Sequence, residues 1–409
     1  MIPHPEIPVR STDEIRDLSI KFIHENLWAE EDIFKGFSIG LWQRNGGWIQ
    51  RPGWKYEIGW AGQNISTANS LLADYLKNGN KQSLERGIAC LDTWATYCPL
   101  PNGLIRNHFD YVLGIENSEE ILDACNLGDA AEDFLVAYEL AQQCGYERGN
   151  YKTLALNICD FMQKNQQTSG QFGKGWDTDG NCLYREGTIG AYIIPPMVRA
   201  YRAAGEQKYL HSAEKAFNFY FNDYAKNGFT SAGALDTWCI DKESSWPMLH
   251  SAMLLFEATN DSTYLTKTEQ ISWYLSTWLW HYSMPVADSS DFKKYGYDTF
   301  AGTAVSTQHH HLDPYGLILV PEWLKLAHLT GNSIWKEKAL AVWANGNQVV
   351  ADGKTKIHGV VRPAGSQAEA YFQTYWVGQP GQFNDWLVLW PSAMRLEVLR
   401  TIDSDELCR

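Results

Sequence analysis

One local pattern occurs five times along the chain and limits its possible folds more than any other feature. In each copy an apolar segment ends in a short turn containing Gly or Asn, and an amphipathic segment follows. Gly and Asn adopt the left-handed conformation that commonly ends a helix, so each copy predicts a helical hairpin. The copies are 55 to 71 residues apart, a period that indicates a repeat architecture. The predicted turn residues are Gly79, Gly145, Gly205, Asn260 and Gly331.

The two helices of each predicted hairpin differ in their hydrophobic pattern. The first is apolar nearly all round, as in residues 191–204 and 316–330, and a helix of this kind is buried on every face. The second carries its charges on one side, which is typical of an outer helix. We therefore call the first helix of each hairpin the inner helix and the second the outer helix.

The sixth hairpin is predicted from the two ends of the chain. Residues 385–400 resemble an inner helix that has no outer partner after it. Residues 11–28 form an amphipathic pattern that opens with a capping box of Ser11 and Glu14. Six inner and six outer helices, with the first helix closing the ring, predict an all-α fold, the (α/α)6 barrel or six-hairpin toroid. We expect one catalytic domain over residues 1–409.

The connections between hairpins predict the place of a functional site. Turns from an inner helix to its outer helix are a few residues long. The connections from an outer helix to the next inner helix, which we call the returns, are much longer, and long structureless loops are usually functional. All returns should emerge at one end of the barrel, where the positive ends of the inner-helix dipoles lie. The predicted returns are residues 29–63, 98–128, 166–188, 225–246, 282–315 and 348–385.

Aromatic residues are abundant and many of the Trp fall in these returns. The chain has 18 Trp, 21 Tyr and 16 Phe. Carbohydrate sites use Trp because the apolar face of a pyranose packs flat against an indole. The alternative is that the aromatic residues fill gaps between helices.

Charge and cysteine usage exclude several classes of function. The formal net charge of −14 argues against a nucleic-acid surface and supplies no basic run for a membrane. The eight Cys include no C-x-x-C pair and no metal-ligand spacing, which indicates reduced thiols and no metal or other cofactor. No membrane span and no signal peptide is visible, so we expect a soluble cytoplasmic or periplasmic protein whose partner is a carbohydrate substrate.

Carboxylates in the returns are the candidate catalytic groups. Cleavage of a glycosidic bond needs one protonated carboxyl and one carboxylate, and burial among aromatic residues raises the pKa of the acid. Three of the candidates have a structural alternative: a turn for Asp110 and Asp177, and a helix N-cap for Asp123. The candidates are Asp110, Asp123, Asp177, Asp236 and Glu369.

Other polar and aromatic residues of the returns are candidate substrate-binding groups. Two converging Arg would hold the carboxylate of a uronic acid. The His run at 309–311 lacks metal-ligand spacing and suits sugar hydroxyls, or a general base. The candidates are Trp48, Arg51, Trp54, Glu57, Arg106, His108, Trp176, Arg185, Trp238, His309, His310, Arg362 and Tyr371.

The chain as a whole resembles the six-hairpin glycosidase superfamily. Within it, the segment ILDACNLGDAAEDFLVAYELA is similar to the segment that leads into an inner helix in the unsaturated uronyl hydrolases. The resemblance implies a catalytic role for Asp123, and the preceding NHFDYVLG places Asp110 in a loop like their upstream Asp loop. Their tryptophan–Arg–Gly–x–x–Trp signature has no counterpart in REGTIGAYIIPP.

These observations predict a glycoside hydrolase that cleaves an acidic, uronic-acid-containing glycan, possibly as an exo-uronidase. Two other enzyme classes stay open: a polysaccharide lyase using His and Tyr, and a sugar 2-epimerase or isomerase using paired His. A glycan-binding protein without catalytic activity is the alternative outside enzymes.

Overall fold

The computed structural model describes residues 7–115, 119–233, 238–375, 377–402 and 404–407. Its contacts divide the chain into two compact units, which we name by their place in the sequence. The middle unit comprises Ala29–Ser38 and Pro52–Ile271, and the terminal unit comprises Met1–Trp28, Ile39–Arg51 and Ser272–Arg409. The expected single domain over residues 1–409 stays a prediction.

Helices dominate both units and follow the predicted order of hairpins. In the described part of the chain, twelve helices of eleven or more residues supply the six inner and six outer helices. They are α1 Thr12–Phe22, α2 Asn64–Asn78, α3 Lys81–Tyr97, α4 Ala124–Gln143, α5 Gly149–Asn165, α6 Ile194–Ala204, α7 Gln207–Asn227, α8 Trp246–Thr259, α9 Thr263–Ser276, α10 Val320–Thr330, α11 Ser333–Gly346 and α12 Trp390–Thr401.

The predicted turn residues end the inner helices in the left-handed conformation. Gly79, Gly205 and Gly331 are C-caps with φ between 68° and 74°, and Asn260 has φ 57°. Gly145, with φ 85°, follows the cap of α4. All five predicted turns are confirmed.

The pairing of the two ends of the chain is also confirmed. The Ser11 hydroxyl accepts the Glu14 N–H at 3.2 Å and begins α1, which packs against α12 within the terminal unit. Helix α12 starts at Trp390, five residues later than predicted, because Trp386–Val388 form a strand.

The long returns are not structureless, contrary to the prediction. Their backbone groups pair in short strands: β1 Trp28–Glu31, β2 Phe34–Phe37, β3 Gly40–Arg44, β4 Gly47–Gln50, β5 Leu122–Asp123, β6 Gly175–Trp176, β7 Cys182–Tyr184, β8 Thr230–Ser231, β9 Ile240–Asp241, β10 Thr303–Ala304, β11 Leu312–Asp313, β12 Lys356–Ile357, β13 Val360–Val361, β14 Tyr371–Phe372, β15 Gln382–Phe383 and β16 Trp386–Val388. Between β3 and β4, Asn45 and Gly46 have φ 52° and 75°, values that suit a tight hairpin turn.

One of these small sheets lies at the start of α4 in the middle unit. Strands β5, β6 and β7 are antiparallel neighbours, and Asp123 pairs with Gly175, which pairs with Tyr184. The sheet therefore fixes the backbone of Asp123 just before the helix begins.

Helix α4 is enclosed on most sides. Within the middle unit it packs against the inner helices α2 and α6 and against its own outer helix α5. Gly128 permits close packing, since a Cβ there would lie 2.2 Å from the Tyr192 carbonyl oxygen. Among the described residues, none of the helices is both long and apolar enough to cross a membrane.

Candidate active site

Four acidic or basic side chains of the returns converge in the middle unit at the start of α4. They are Glu57, His108, Glu120 and Asp123, and each is at most 5% exposed. Glu57 and His108 face each other in an antiparallel bridge, which aligns the two returns that carry them. Gly62 keeps the turn near Glu57 compact, because a Cβ there would lie 2.2 Å from the Glu57 carbonyl oxygen. We call these four residues the loop cluster.

Asp123 is oriented by three N–H donors. Its Oδ1 accepts the backbone N–H of Asn126 at 3.0 Å, which makes Asp123 the N-cap of α4. Its Oδ2 accepts Nδ2 of Asn107 at 2.7 Å and Nδ2 of Asn126 at 2.8 Å. The predicted N-cap is thus confirmed, and it leaves the carboxyl in one fixed orientation.

Asn126 connects Asp123 to a second carboxylate. The same Nδ2 that donates to Asp123 also donates to Glu57 Oε1 at 3.0 Å. The backbone N–H of Gly59 donates to Asn126 Oδ1 at 2.9 Å and sets the amide orientation. The carboxyls of Glu57 and Asp123 therefore lie on either side of one amide nitrogen.

His108 lies between two carboxylates. Its Nε2 is 3.5 Å from Glu57 Oε1, and its Nδ1 is 3.9 Å from Glu120 Oε1. Glu120 also accepts the backbone N–H of His108 at 2.9 Å and Nη1 of Arg106 at 2.8 Å. Trp54 packs edge-on against the His108 ring, with centroids 4.6 Å apart.

Burial and neighbouring charges shift the pKa values of the loop cluster. Burial raises the pKa of Asp123, Glu57 adds to this effect, and the bonds from Asn126 offset it only in part. Burial also raises the pKa of Glu120, although His108 and Arg106 oppose the shift. Burial alone would lower the pKa of His108, but Glu57, Glu120 and Asp123 together raise it. Both shifts act in the same direction: they move His108 toward its protonated form and Asp123 toward its neutral form.

Asp110 is fully buried beside this cluster, and its carboxylate accepts a hydrogen bond from the backbone. It is the first residue of the short helix Asp110–Leu113, and its Oδ2 accepts the Lys55 N–H at 2.6 Å. The bond ties the return containing Trp54 to the return containing His108. This contact joins two distant segments, so it differs from the turn cap that was the structural alternative for Asp110.

Asp177 lies in a turn at the surface. It accepts the N–H groups of Asp179 and Asn181 at 3.0 and 2.8 Å, and Nδ2 of Asn181 at 2.9 Å. The bonds from Asn181 lower the pKa of Asp177. The contacts of Asp177 are those of the turn alternative rather than of a general acid.

The other candidates of the middle unit are divided between core and surface. Trp176 is 3% exposed and belongs to the core, so its indole face is covered by the protein. Trp238 is 52% exposed, lies 5.4 Å from the Tyr184 ring, and has Lys174 Nζ 3.7 Å from its centroid. Arg185 is half-buried in the return after β7. Asp236 lies outside the described residues.

The remaining candidates are in the terminal unit, and most of them make contacts that hold its returns. Trp48 donates its indole N–H to the Val361 carbonyl at 2.8 Å. The Arg51 guanidinium lies 5.0 Å from the Trp386 ring centroid, and Tyr371 stacks on Tyr297 at 4.3 Å.

Four further candidates share this unit. Arg362 is 2% exposed and bonds to Asp385 at 3.2 Å. Glu369 is half-buried, and its N–H bonds to the Trp386 carbonyl at 3.1 Å. His309 is half-buried with its N–H on Ser306 Oγ at 2.8 Å, whereas His310 is exposed.

We expected two Arg side chains to converge and hold the carboxylate of a uronate. Arg106 and Arg362 instead contact carboxylates of the protein. Arg106 bonds to Glu120, and Arg362 bonds to Asp385. Each guanidinium charge is therefore balanced by a carboxylate of its own unit. The sequence pattern placed these residues in returns but contained no information about their partners.

Several polar residues of interest were missed at the sequence level. Glu120 and Asn126 flank Asp123 by three positions on either side, a spacing that was available as a signal. His358 lies between Asp291 and Asp385 at 2.8 and 2.6 Å in the terminal unit. None of the groups of His, Cys, Asp and Glu within the described ranges is arranged to hold a metal ion.

Known structures with the same fold provide a comparison for the whole chain. No protein-family model and no curated protein matches the sequence. A sugar epimerase from a ruminal bacterium is 14% identical, with a TM-score of 0.61 over 96% of this chain and 99% of that one. A family 76 glycoside hydrolase from a bovine Bacteroides thetaiotaomicron strain is 11% identical, with a TM-score of 0.61 over 96% of this chain and 77% of that one.

An unsaturated glucuronyl hydrolase specific for heparin is also similar. It is 10% identical, with a TM-score of 0.57 over 97% of this chain and 95% of that one. Identities this low establish the fold alone, and they confirm the predicted fold class. The chain therefore has the (α/α)6 fold that these enzymes share.

Proposed function

We propose that this protein is a glycoside hydrolase in which Asp123 is the general acid and Glu57 is the carboxylate that acts with it. The observation that carries the proposal is the position of both carboxyls on one amide nitrogen of Asn126. Glycosidic cleavage requires two carboxyl groups with different protonation states at a short separation. The carbohydrate-processing enzymes that share the fold support the choice of a glycan as substrate.

Asp123 suits the role of the acid. Burial raises its pKa, which favours the protonated carboxyl, and the N-cap and amide bonds hold its orientation. In the reaction the bond between the anomeric carbon and the leaving oxygen breaks, and the Asp123 proton passes to that oxygen. The leaving group therefore departs as a neutral alcohol.

Glu57 suits the complementary role. As a carboxylate it removes the proton of a water molecule whose oxygen bonds to the anomeric carbon, or it attacks that carbon directly in a two-step reaction. His108 Nε2 lies 3.5 Å from Glu57 Oε1 and helps to hold that side chain in place. His108 is thus a positioning residue, and Glu120 and Arg106 hold it in turn.

A uronic acid in the substrate stays a prediction from sequence. Its support was a clamp of two Arg, and Arg106 and Arg362 bond to protein carboxylates instead. We therefore propose hydrolysis of a glycan and test acidic and neutral glycans side by side.

The test is turnover on a panel of neutral and uronic-acid-containing oligosaccharides, followed by release of reducing ends. We expect Asp123→Asn and Glu57→Gln to lower kcat by about 10³-fold. Asn is as good an N-cap as Asp, so Asp123→Asn should keep the fold. The control is Asp177→Asn, which replaces the surface turn carboxylate and should keep full activity.

Two results would refute the proposal. One is turnover at the wild-type rate in both Asp123→Asn and Glu57→Gln. The other is a wild-type protein that releases no reducing ends from any glycan but forms an unsaturated product or changes the configuration of a free sugar.

A further inference from the structure

The inner helices of the middle unit carry polar residues among their many apolar ones, and we call the row of polar residues on α4 the polar stripe. On α4 the partly exposed residues up to Val136 are Asp129, Glu132, Asp133 and Val136, which recur at helical spacing. Since α2, α5 and α6 cover the other sides of α4, this stripe is the side of the helix that solvent reaches. The expectation that inner helices are buried on every face is wrong here.

One polar side chain of α6 and one of α8 contact Glu132 of α4. Arg199 Nε lies 2.5 Å and His250 Nε2 lies 2.8 Å from Glu132 Oε1. The side chains of Glu132, Arg199 and His250 are 17, 31 and 13% exposed, so solvent or a ligand can reach all three. Three inner helices thus place their polar groups at one point.

An aromatic side chain that lies one helical turn before His250 on α8 packs against this group of polar residues. Trp246, four residues before His250 on α8, stacks on the imidazole with centroids 5.1 Å apart and planes 12° from parallel. Trp246 is half-buried, so part of the indole borders the same solvent-accessible side. A polar group next to a flat apolar surface is the combination that a sugar ring requires.

The polar atoms that face solvent include both donors and acceptors. Burial alone would raise the pKa of Glu132, but His250 and Arg199 hold it well below its usual range, so Glu132 is a carboxylate. Within the described residues, the hydrogen bond of Arg199 to protein is made through Nε, and its two terminal amino groups stay available as donors. In the part of the chain that the structure describes, the hydrogen bonds to Glu132 are made to Oε1, so Oε2 is available as an acceptor.

The charges of the stripe discriminate between kinds of ligand. Asp129, Glu132 and Asp133 provide three carboxyl groups, against one guanidinium and one imidazole. An anionic ligand would meet this excess of carboxylates, whereas hydroxyl groups accept from Arg199 and donate to Glu132 without electrostatic cost.

We propose that Glu132, Arg199, His250 and Trp246 form a subsite for an uncharged pyranose residue of a glycan. The inference deepens the proposed function and rests on it for the choice of a glycan as ligand. Glu132 follows Asp123 by nine residues of α4, which corresponds to a rise of roughly 13 Å along the helix. The subsite is thus more than one sugar residue away from the proposed acid, and it selects an oligosaccharide.

The test measures binding by calorimetry to the Asp123→Asn protein, in which we expect turnover to be about 10³-fold slower. The probes are cellopentaose, mannopentaose and xylopentaose, with pentagalacturonate as the anionic probe of equal length. We expect at least one neutral probe to bind more tightly than pentagalacturonate. Adding Glu132→Gln, or separately Arg199→Lys, should weaken that binding about tenfold, the loss expected for one charged hydrogen bond.

The chain offers a matched control on the same two helices. Arg202, one turn after Arg199 on α6, pairs with Glu257 of α8 at 3.1 Å. Arg202→Met removes an ion pair between α6 and α8 but leaves Glu132 untouched, so it should change binding less than twofold. Thermal unfolding of each variant checks that the fold is kept, and Arg199→Lys is the conservative variant if Glu132→Gln unfolds.

The outcomes separate this inference from the proposed function. Equal affinity in all variants, tighter binding of pentagalacturonate, or no binding of any neutral probe overturns the subsite. Selective loss in Glu132→Gln and Arg199→Lys supports it, even if the Asp123→Asn substitution on its own leaves turnover intact. In that case the proposed roles of Asp123 and Glu57 fail while the subsite stands.

Discussion

The middle unit contains two polar groups that begin on the same helix and differ in almost every other respect. The loop cluster of Glu57, His108, Glu120 and Asp123 is nearly inaccessible, and its hydrogen bonds are made to protein. The group on the inner helices, Glu132 with Arg199 and His250, is 13 to 31% exposed. One group is held by returns and small sheets, the other by the packing of three helices.

The contrast suggests a division of roles. Burial shifts pKa values and fixes orientation, as general acid and base chemistry requires. Partial exposure leaves donors and acceptors for a ligand, as binding requires. We therefore assign chemistry to the loop cluster and recognition of a sugar ring to the inner helices, and each prediction below separates the two.

The largest expected effect separates kcat from KM. Asp123→Asn should lower kcat by about 10³-fold with little change in KM, because it removes the transferred proton. Glu132→Gln should raise KM about tenfold and keep kcat, because it removes a binding contact. Steady-state kinetics on one oligosaccharide checks both. An equal loss of kcat in the two variants would contradict the assignment of chemistry to the loop cluster and of sugar binding to the inner helices.

The next effect concerns stability. Glu120→Gln should lower the free energy of unfolding by about 3 kcal/mol, because Arg106 and His108 lose their buried carboxylate partner. Glu257→Gln, which breaks the more exposed pair with Arg202, should cost less than about 1 kcal/mol. Urea denaturation measures the difference, and similar losses in the two variants would show that the loop cluster is not the more strongly coupled group.

The pH dependence of stability should identify His108. Its pKa is raised in the folded state, so its contribution to stability is complete below the unfolded pKa of about 6.5. The contribution is lost as pH rises through the folded pKa. The difference in unfolding free energy between wild type and His108→Gln should therefore be larger at pH 6 than at pH 9, and a difference that grows with pH would contradict the assignment.

The smallest effect is expected at Asp177. Asn also accepts the backbone N–H groups of this turn, so Asp177→Asn should leave the urea midpoint and the turnover within experimental error. A loss of activity like that of Asp123→Asn would return Asp177 to the catalytic candidates.

The helical hairpins were predictable from sequence because their signals are local. The five turn residues need a left-handed backbone, and the two hydrophobic patterns distinguish inner from outer helices. The strands in the returns were missed because most have two to four residues, too few for a recognisable alternation. The Asn45–Gly46 turn was the clearest available signal of a hairpin.

The candidate site was predictable only in part. The return containing Arg106, His108 and Asp110 does lie beside Asp123, as the order of the chain suggested. The partners did not follow from sequence, since Glu57 meets Asp123 through Asn126 by a contact between distant segments. The polar stripe was hidden, because Glu132, Arg199 and His250 come from three helices and meet only after packing.

The central claim is that the loop cluster transfers a proton to a glycosidic oxygen and adds water. Its most direct test is the mass of the products formed from a defined oligosaccharide in ¹⁸O-labelled water, analysed before the reducing ends exchange. We predict two fragments whose combined mass exceeds the substrate by one labelled water, and no such fragments with Asp123→Asn. Fragments without added water would indicate elimination, an unchanged mass with altered configuration would indicate epimerisation, and either would contradict the account.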